Sequence, residues 1–513
     1  MKISKKALLY SAGILALSNM TLQLLGMAYR VLLSRLTGAE GMGVYQLVLS
    51  AYPVLMSITM TGLCLATSRI AAQRHALRDR AGLYRVMRLV LGLFLLFFTL
   101  AAGATVVFAG PIAEGILGDP RTKTALLLLL PCLFFTGIEN IYKSYFFGTQ
   151  KIRPPIVSEM TEQLVRLAAV AALLFYFAPK DPGKAAVLIV AGMIVSEVVS
   201  SGLLRLFYSR DRRGNPPAKA GPPVKGGVIK AVLAIALPVS ASELLSSLIG
   251  SAHTIMIPRR LVAAGIASPR AIALLGIMMG MSWPLLMLPA ALIGSLTRIL
   301  VPRLSQGMAL GQGGDMRRKA AKALHVTGLL TFPAVAALMA LGPAFCAILY
   351  RQPEAGQYLL PLAPAAVLVF YQITTVGILN GIGMQSRAAF HAVAGGLLEL
   401  AVTWVLAGDP RIGVWGVIAG FIAGGALPAL LNFYWVVRGT GLKVRWVNWL
   451  VTPALAAAFG GYAALLCHIW LAGIGVGELA ALVLSLAACL ATYAAFLWMQ
   501  GLDIIRYLKT LRA

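Results

Sequence analysis

Apolar residues in this chain come as long unbroken runs, with no alternation of apolar and polar positions that a strand with one solvated face would need. Crossing a bilayer as a helix takes roughly 20 mostly apolar residues. By that measure the pattern predicts fourteen spans, starting near residues 10, 45, 86, 124, 156, 185, 231, 272, 322, 358, 388, 413, 450 and 478. A membrane β-barrel is excluded because its strands alternate lipid-facing and lumen-facing residues. The first run follows only Lys2, Lys5 and Lys6, outlasts the apolar part of a signal peptide and has no good small-residue cleavage site. It is expected to be a retained span.

The pattern is also written twice. Tyr52-Pro53-Val-Leu-Met recurs as Trp283-Pro284-Leu-Leu-Met, and Gly110-Pro-Ile-Ala-Glu-Gly-Ile-Leu as Gly342-Pro-Ala-Phe-Cys-Ala-Ile-Leu. Pro131 and Gly148 return as Pro364 and Gly381; Asp181-Pro182, Gly192 and Arg210 return as Asp409-Pro410, Gly420 and Arg438. The order is kept and the offset stays between 228 and 233 residues, so the pattern reads as an internal duplication. Each copy holds six spans, an even number, so both enter the membrane the same way round and a two-fold axis along the membrane normal should relate them. The predicted fold is therefore all-α and integral to the membrane. It has a six-helix lobe over 1–208, a Pro- and Gly-rich linker over 209–228, a second six-helix lobe over 229–440, and two extra helices with a tail over 441–513. Prolines within spans remove a backbone donor and invite a kink, and the duplicated Pro53 and Pro284 are the first candidates for such bends.

Composition changes the picture little but closes off alternatives. The chain is 59% apolar and 12% charged, too apolar for an ordinary soluble domain. Its net charge of +27 would suit nucleic-acid binding if it lay on one domain. Here it sits in short loops, as in Arg74, Arg78, Arg80, Arg85 and Arg88, or Arg303, Arg317, Arg318, Lys319 and Lys322. That is the positive-inside pattern. It predicts cytoplasmic termini, attraction to anionic head groups and no nucleic-acid partner. Cys64, Cys132, Cys346, Cys467 and Cys489 lie in apolar runs without paired spacing, and the five histidines form no ligand motif. Neither a disulfide nor a metal nor any other cofactor is expected.

Chemistry must then lie in charges at membrane depth, which are costly to keep there. The first copy offers Arg30, Glu139 and Lys143, Glu162 and Arg166, and Glu197; the second offers Glu243, His253, Arg298, His391 and Glu399. Glu162 and Arg166 are four residues apart, a spacing that allows an ion pair on one helical face. Such a pair can be purely structural. Lys143, Glu139 and Arg298 can equally be snorkelling near helix ends, and Glu197 and Glu243 can face polar neighbours between helices. Arg30 and Arg166 favour an anionic guest, because guanidinium holds phosphate oxygens in pairs.

Three stretches resemble the stage V sporulation protein B group of polysaccharide-biosynthesis membrane proteins. They are Gly38-Ala-Glu-Gly-Met-Gly-Val-Tyr45; Ser144-Tyr-Phe-Phe-Gly-Thr-Gln150 followed by Pro154-Pro155 and Glu162-Gln-Leu-Val-Arg166; and 287–305, with Pro289, Gly294, Arg298 and Pro302-Arg303. That group is part of the multidrug/oligosaccharidyl-lipid/polysaccharide exporter superfamily, which includes the lipid II flippase MurJ. The resemblance implies a non-enzymatic flippase of the cytoplasmic membrane, working by alternating access on an undecaprenyl-diphosphate-linked sugar. Lipid II, for spore cortex, is the expected cargo. With the charges at membrane depth, it leaves Arg30, Arg35, Glu162, Arg166, Arg298 and Glu399 as the substrate-binding candidates, and Glu139, Glu197 and Glu243 as the gating or coupling ones. Beyond the lipid-linked oligosaccharide, the expected associations are membrane lipids and cell-wall synthases, around a monomer. Two rivals stay open. One is a cation-coupled multidrug exporter. The other is a scaffold or glycosyltransferase of envelope synthesis, against which stand the short loops and only 17 acidic residues.

Overall fold

A computed structural model describes residues 5–214, 227–310 and 313–501, with side chains from Ser18 onward except those of Leu296, Arg298, Ile299, Pro302, Arg303 and Ala309. Most of the linker expected at 209–228 and the basic tail with Arg506, Lys509 and Arg512 lie outside the described residues. Among the described residues every regular element is helical. Thirteen helical stretches among the described residues are long and apolar enough to cross a membrane. The first of them, Ser18–Ala76, runs for 59 residues, long enough for two spans of roughly 20 residues each. Gly38 divides it, with φ 69° and ψ −173°, a conformation that a side chain would strain. Thirteen stretches, one of them double, match the fourteen expected runs, and the chain is a multi-pass membrane protein.

By contacts the chain forms two compact units, Met1–Arg259 with Ala267–Gly276, and Arg260–Ile266 with Ile277–Ala513. The core of the first gathers Met60, Leu63, Tyr84, Phe94, Tyr145 and Phe146. In the second, Leu304, Leu324, Ile378, Leu379 and Trp449 play that part. Outward faces are apolar too: Leu95, Leu96, Leu100, Val106 and Val107 are exposed along the Arg80–Val107 helix. Such a face is stable only against lipid.

Helical regularity fails near the duplicated prolines. A π-helical turn, Ser57–Thr61, follows Pro53, and another, Gly276–Ser282, ends just before Trp283-Pro284. Both places carry the displaced backbone bonding that a missing N–H invites.

The Gly38–Tyr45 motif builds the first hairpin. Gly38 breaks the helix, and Glu40 accepts a hydrogen bond from Arg121 Nη1 at 2.8 Å. At Gly43 a Cβ would stand 2.0 Å from the Ile272 carbonyl oxygen, so only glycine permits that approach. Tyr45 Oη reaches Met193 Sδ at 3.5 Å. Arg121 also grips both oxygens of Asp119 from Nε at 3.0 Å. Asp119 foremost, with Glu40, raises the Arg121 pKa above its ordinary value despite partial burial. The loop clamp therefore stays cationic at every physiological pH.

Candidate functional site

Three helices of the first unit bring their charges to one place. Thr122–Gly148 carries Glu139 and Lys143 one turn apart. Arg153–Phe177 carries Ser158, Glu159, Glu162 and Arg166 along one side. Pro182–Gly214 brings Ser196, Glu197 and Ser200. Pro154 and Pro155 open the middle helix, where the absent N–H groups cost nothing. Gly192 lets the last two helices close: a Cβ there would lie 2.4 Å from Val170 Cγ2 and 3.0 Å from Val170 backbone atoms.

Lys143 does not snorkel. Its Nζ stands 2.9 Å from Glu139 Oε1, 3.3 Å from Glu159 Oε1 and 3.6 Å from Glu162 Oε2, and its side chain is only 11% exposed. Arg166 Nη2 pairs with Glu162 Oε1, the expected one-turn pair, and also with Glu197 Oε1 at 2.9 Å. Arg166 Nε donates to Ser196 Oγ at 3.3 Å. Ser200 Oγ donates to Glu139 Oε2 at 2.7 Å, and Ser158 Oγ to Glu139 Oε1 at 3.3 Å. The network thus alternates anion and cation through two bridging side chains, Lys143 and Arg166.

Its charges do not balance. Four carboxyl groups, of Glu139, Glu159, Glu162 and Glu197, share two cations. An oxygen from each of Glu139, Glu162 and Glu197 lies within 4.8 Å of the others. Glu197 Oε2 is buried with no hydrogen-bond partner. Three carboxylates this close repel strongly where water is excluded. The arrangement can therefore take up a proton or a small cation, and its all-oxygen donor set suits hard cations.

Arg30 differs from Arg166. It is half-buried, and among the described residues no carboxylate pairs with it. Tyr29 and Tyr45 lie within electrostatic reach of both arginines. In the first unit, therefore, Arg166 is locked in a carboxylate network, while Arg30 has no carboxylate partner among the described residues.

The remaining candidates fall elsewhere. Arg35 is exposed. Glu243 lines a separate cavity of about 330 Å³ in the first unit, with Gln46, Ser50, Pro53, Ser246, Ser247 and Ser251. Glu399 belongs to the second unit, where it packs against Gly424; a Cβ there would lie 2.7 Å from Glu399 Oε2. His391 Nδ1 lies 2.7 Å from Asn432 Oδ1, and the side chain of Arg298 lies outside the described residues. Sequence reasoning missed Glu159, Ser158, Ser196 and Ser200. Their signal was available: Ser158 and Ser200 sit one turn from Glu162 and Ser196, on the faces that carry the charges.

Known proteins resemble the chain along most of its length. A family model described as Polysaccharide biosynthesis protein matches residues 8–308. Stage V sporulation protein B of Bacillus subtilis (strain 168) is 25% identical over 467 residues, covering 89% of each chain. Lipid II flippase MurJ of the same organism is 23% identical over 77% of this chain and 76% of its own. Among solved structures, lipid II flippase MurJ in an inward closed conformation aligns with TM-score 0.72 at 12% identity, over 96% of this chain and all of that one. An inward-facing multidrug resistance MATE family transporter of the MOP superfamily aligns with TM-score 0.67 at 16% identity, over 83% of this chain and 98% of its own. These likenesses establish the fold.

Proposed function

Because the chain belongs to the polysaccharide biosynthesis protein family, we propose that it is a flippase carrying an undecaprenyl-diphosphate-linked sugar, lipid II foremost, outward across the cytoplasmic membrane. Both termini are then cytoplasmic, and the two six-helix copies expected from the repeat work by alternating access. The observation that carries the reading is the contrast between Arg30 and Arg166. A half-buried guanidinium in the first span, with no carboxylate partner among the described residues, would offer the phosphate oxygens a two-pronged partner. The neighbouring guanidinium is held by Glu162 and Glu197. When the diphosphate arrives beside Arg30, its charge competes with those carboxylates for Arg166. Protonation of the carboxyl cluster would free the arginine, and deprotonation would reclaim it. Glu139, Glu162 and Glu197 thus gate, and Arg30 and Arg166 bind. Relatives named for sporulation and for lipid II flipping support this cargo.

The test is transbilayer movement of fluorescent lipid II in proteoliposomes, comparing wild type with Arg30→Ala. Flipping by the wild type and its loss in a normally folded variant is the expected result. A variant that flips as fast as wild type would sink the phosphate-binding role. A cation-coupled drug exporter is the second reading, favoured by the three clustered carboxyl groups. It predicts transport of cationic drugs that Arg30→Ala leaves intact and Glu197→Gln abolishes.

A further inference from the structure

Glu243 has no part in the charge network, yet it stands at a depth where a carboxylate is costly. The Val228–Ala263 helix has 36 residues, hence a length of about 54 Å at 1.5 Å per residue, against a hydrocarbon core about 30 Å thick. Glu243 lies near its middle. Ala241, Ser242, Glu243 and Ser246 are nonetheless exposed. A carboxylate and serines laid bare at that depth face water, not acyl chains. Ser246, Ser247, Gly250 and Thr254 follow Glu243 by three, four, seven and eleven residues, so all five share one helical face.

That face forms one wall of the cavity of about 330 Å³, and Gln46, Leu49, Ser50 and Pro53 of the second span form the other. Its size is at the small end of ligand sites. Ser251 Oγ donates to the Ser50 carbonyl oxygen at 2.5 Å and joins the two walls. Ser246 Oγ donates to the Ser242 carbonyl oxygen at 3.2 Å, and Thr254 Oγ1 to that of Gly250 at 3.0 Å. Each of these hydroxyls gives its proton to its own helix, which leaves its oxygen as an acceptor. Pro53 has no N–H for the Leu49 carbonyl one turn back, so that oxygen lacks its helical donor. The lining is therefore rich in acceptors, with the Gln46 carboxamide able to give or to accept. Among the described residues no lysine or arginine lines it. Such a lining repels phosphate and suits a neutral guest bearing many O–H and N–H donors, as a sugar does. With one carboxylate it is a weak cage for a metal cation, whose affinity follows the count of charged ligands.

We propose that this cleft is the sugar subsite of the flippase, where Glu243 and Gln46 take the hydroxyl and amide N–H groups of the cargo's headgroup. It rests on the flippase reading for its ligand and engages residues to which that reading gives no role. Phosphate and sugar then have separate partners within one unit. The two sites meet on the second span: Tyr45 is within electrostatic reach of Arg30 and Arg166, and the next residue, Gln46, lines the cleft.

The experiment is native mass spectrometry of the full chain in detergent micelles, offered lipid II or undecaprenyl diphosphate, which lacks the sugars. Wild type is expected to bind lipid II the more tightly. Glu243→Gln removes a charge-assisted acceptor and should weaken lipid II about tenfold or more, with undecaprenyl diphosphate unchanged. Gly250→Leu should do the same by filling the cleft; a Cβ at Gly250 meets open space, so this variant keeps its packing. Arg30→Ala should weaken both lipids alike, because both carry the diphosphate. Equal binding of the two lipids by wild type would overturn the subsite and leave the flippase reading standing. So would an equal loss of both lipids in Glu243→Gln. Wild type that binds neither lipid would overturn subsite and flippase together. Binding of a cationic drug that Glu243→Gln abolishes, with no preference between the lipids, would give the cleft to a drug exporter instead.

Discussion

Arg30 and Arg166 are chemically identical and a short distance apart in purpose, yet their surroundings make opposite demands. Arg166 is 15% exposed at its side chain and bonded to two carboxylates, so truncating it leaves buried charge uncompensated. Such losses cost about 3–5 kcal/mol. Arg166→Ala and Lys143→Ala should therefore lower thermal stability markedly in detergent, and Arg30→Ala should not. A melting comparison of the three variants checks this, and equal destabilisation would show that Arg30 has a structural partner. Glu197→Gln removes a charge from a site with more carboxyl groups than cations. It should preserve folding, while transport loses its dependence on pH. The i,i+4 pairing of Glu162 with Arg166 was legible from spacing alone. That Lys143 turns inward was not, because whether a lysine snorkels depends on what lies across the helix interface, here Glu159 and Glu162.

At the scale of elements, close helix approach does what side-chain chemistry alone cannot. Gly192 against Val170 sets the distance between the helices that carry Arg166 and Glu197. Gly192→Val would force them apart by steric overlap. Overpacking typically costs about 1–3 kcal/mol, and here it should also stretch the 2.9 Å pair. The expected outcome is a lower melting temperature together with impaired lipid II movement, read in the same proteoliposome assay. Gly38→Ala meets a different obstacle, a backbone at φ 69° and ψ −173° that is essentially reserved for glycine, and should cost about 1–3 kcal/mol with the site left intact. The first hairpin motif, Gly38–Tyr45, was readable as a family signature. Its parts act through a helix break, the Arg121 clamp and the Gly43 contact, none of which a linear pattern reveals.

For the molecule as a whole, the proposed function has an anionic cargo moving outward, which the membrane potential would drive at about 2.3 kcal/mol per net charge per 100 mV. Imposing an inside-negative potential on proteoliposomes should accelerate outward movement, and reversing it should slow that movement. Insensitivity to potential would mean that the cargo crosses with its charge fully neutralised. The number of spans and the helical class were determined by the sequence itself, because an unbroken apolar run of bilayer length satisfies its backbone in lipid as a helix. The comparison of fourteen expected runs with thirteen stretches, one of them double, rests on that constraint. What only the tertiary structure decided is which charges meet. Glu139, Lys143, Glu159, Glu162, Arg166 and Glu197 come from three helices, while Glu243 and Glu399, equally conspicuous along the chain, went elsewhere. Helix rotation and approach settle such meetings, and they follow from the packing of many small and apolar side chains at once, not from the local spacing of any charged pair.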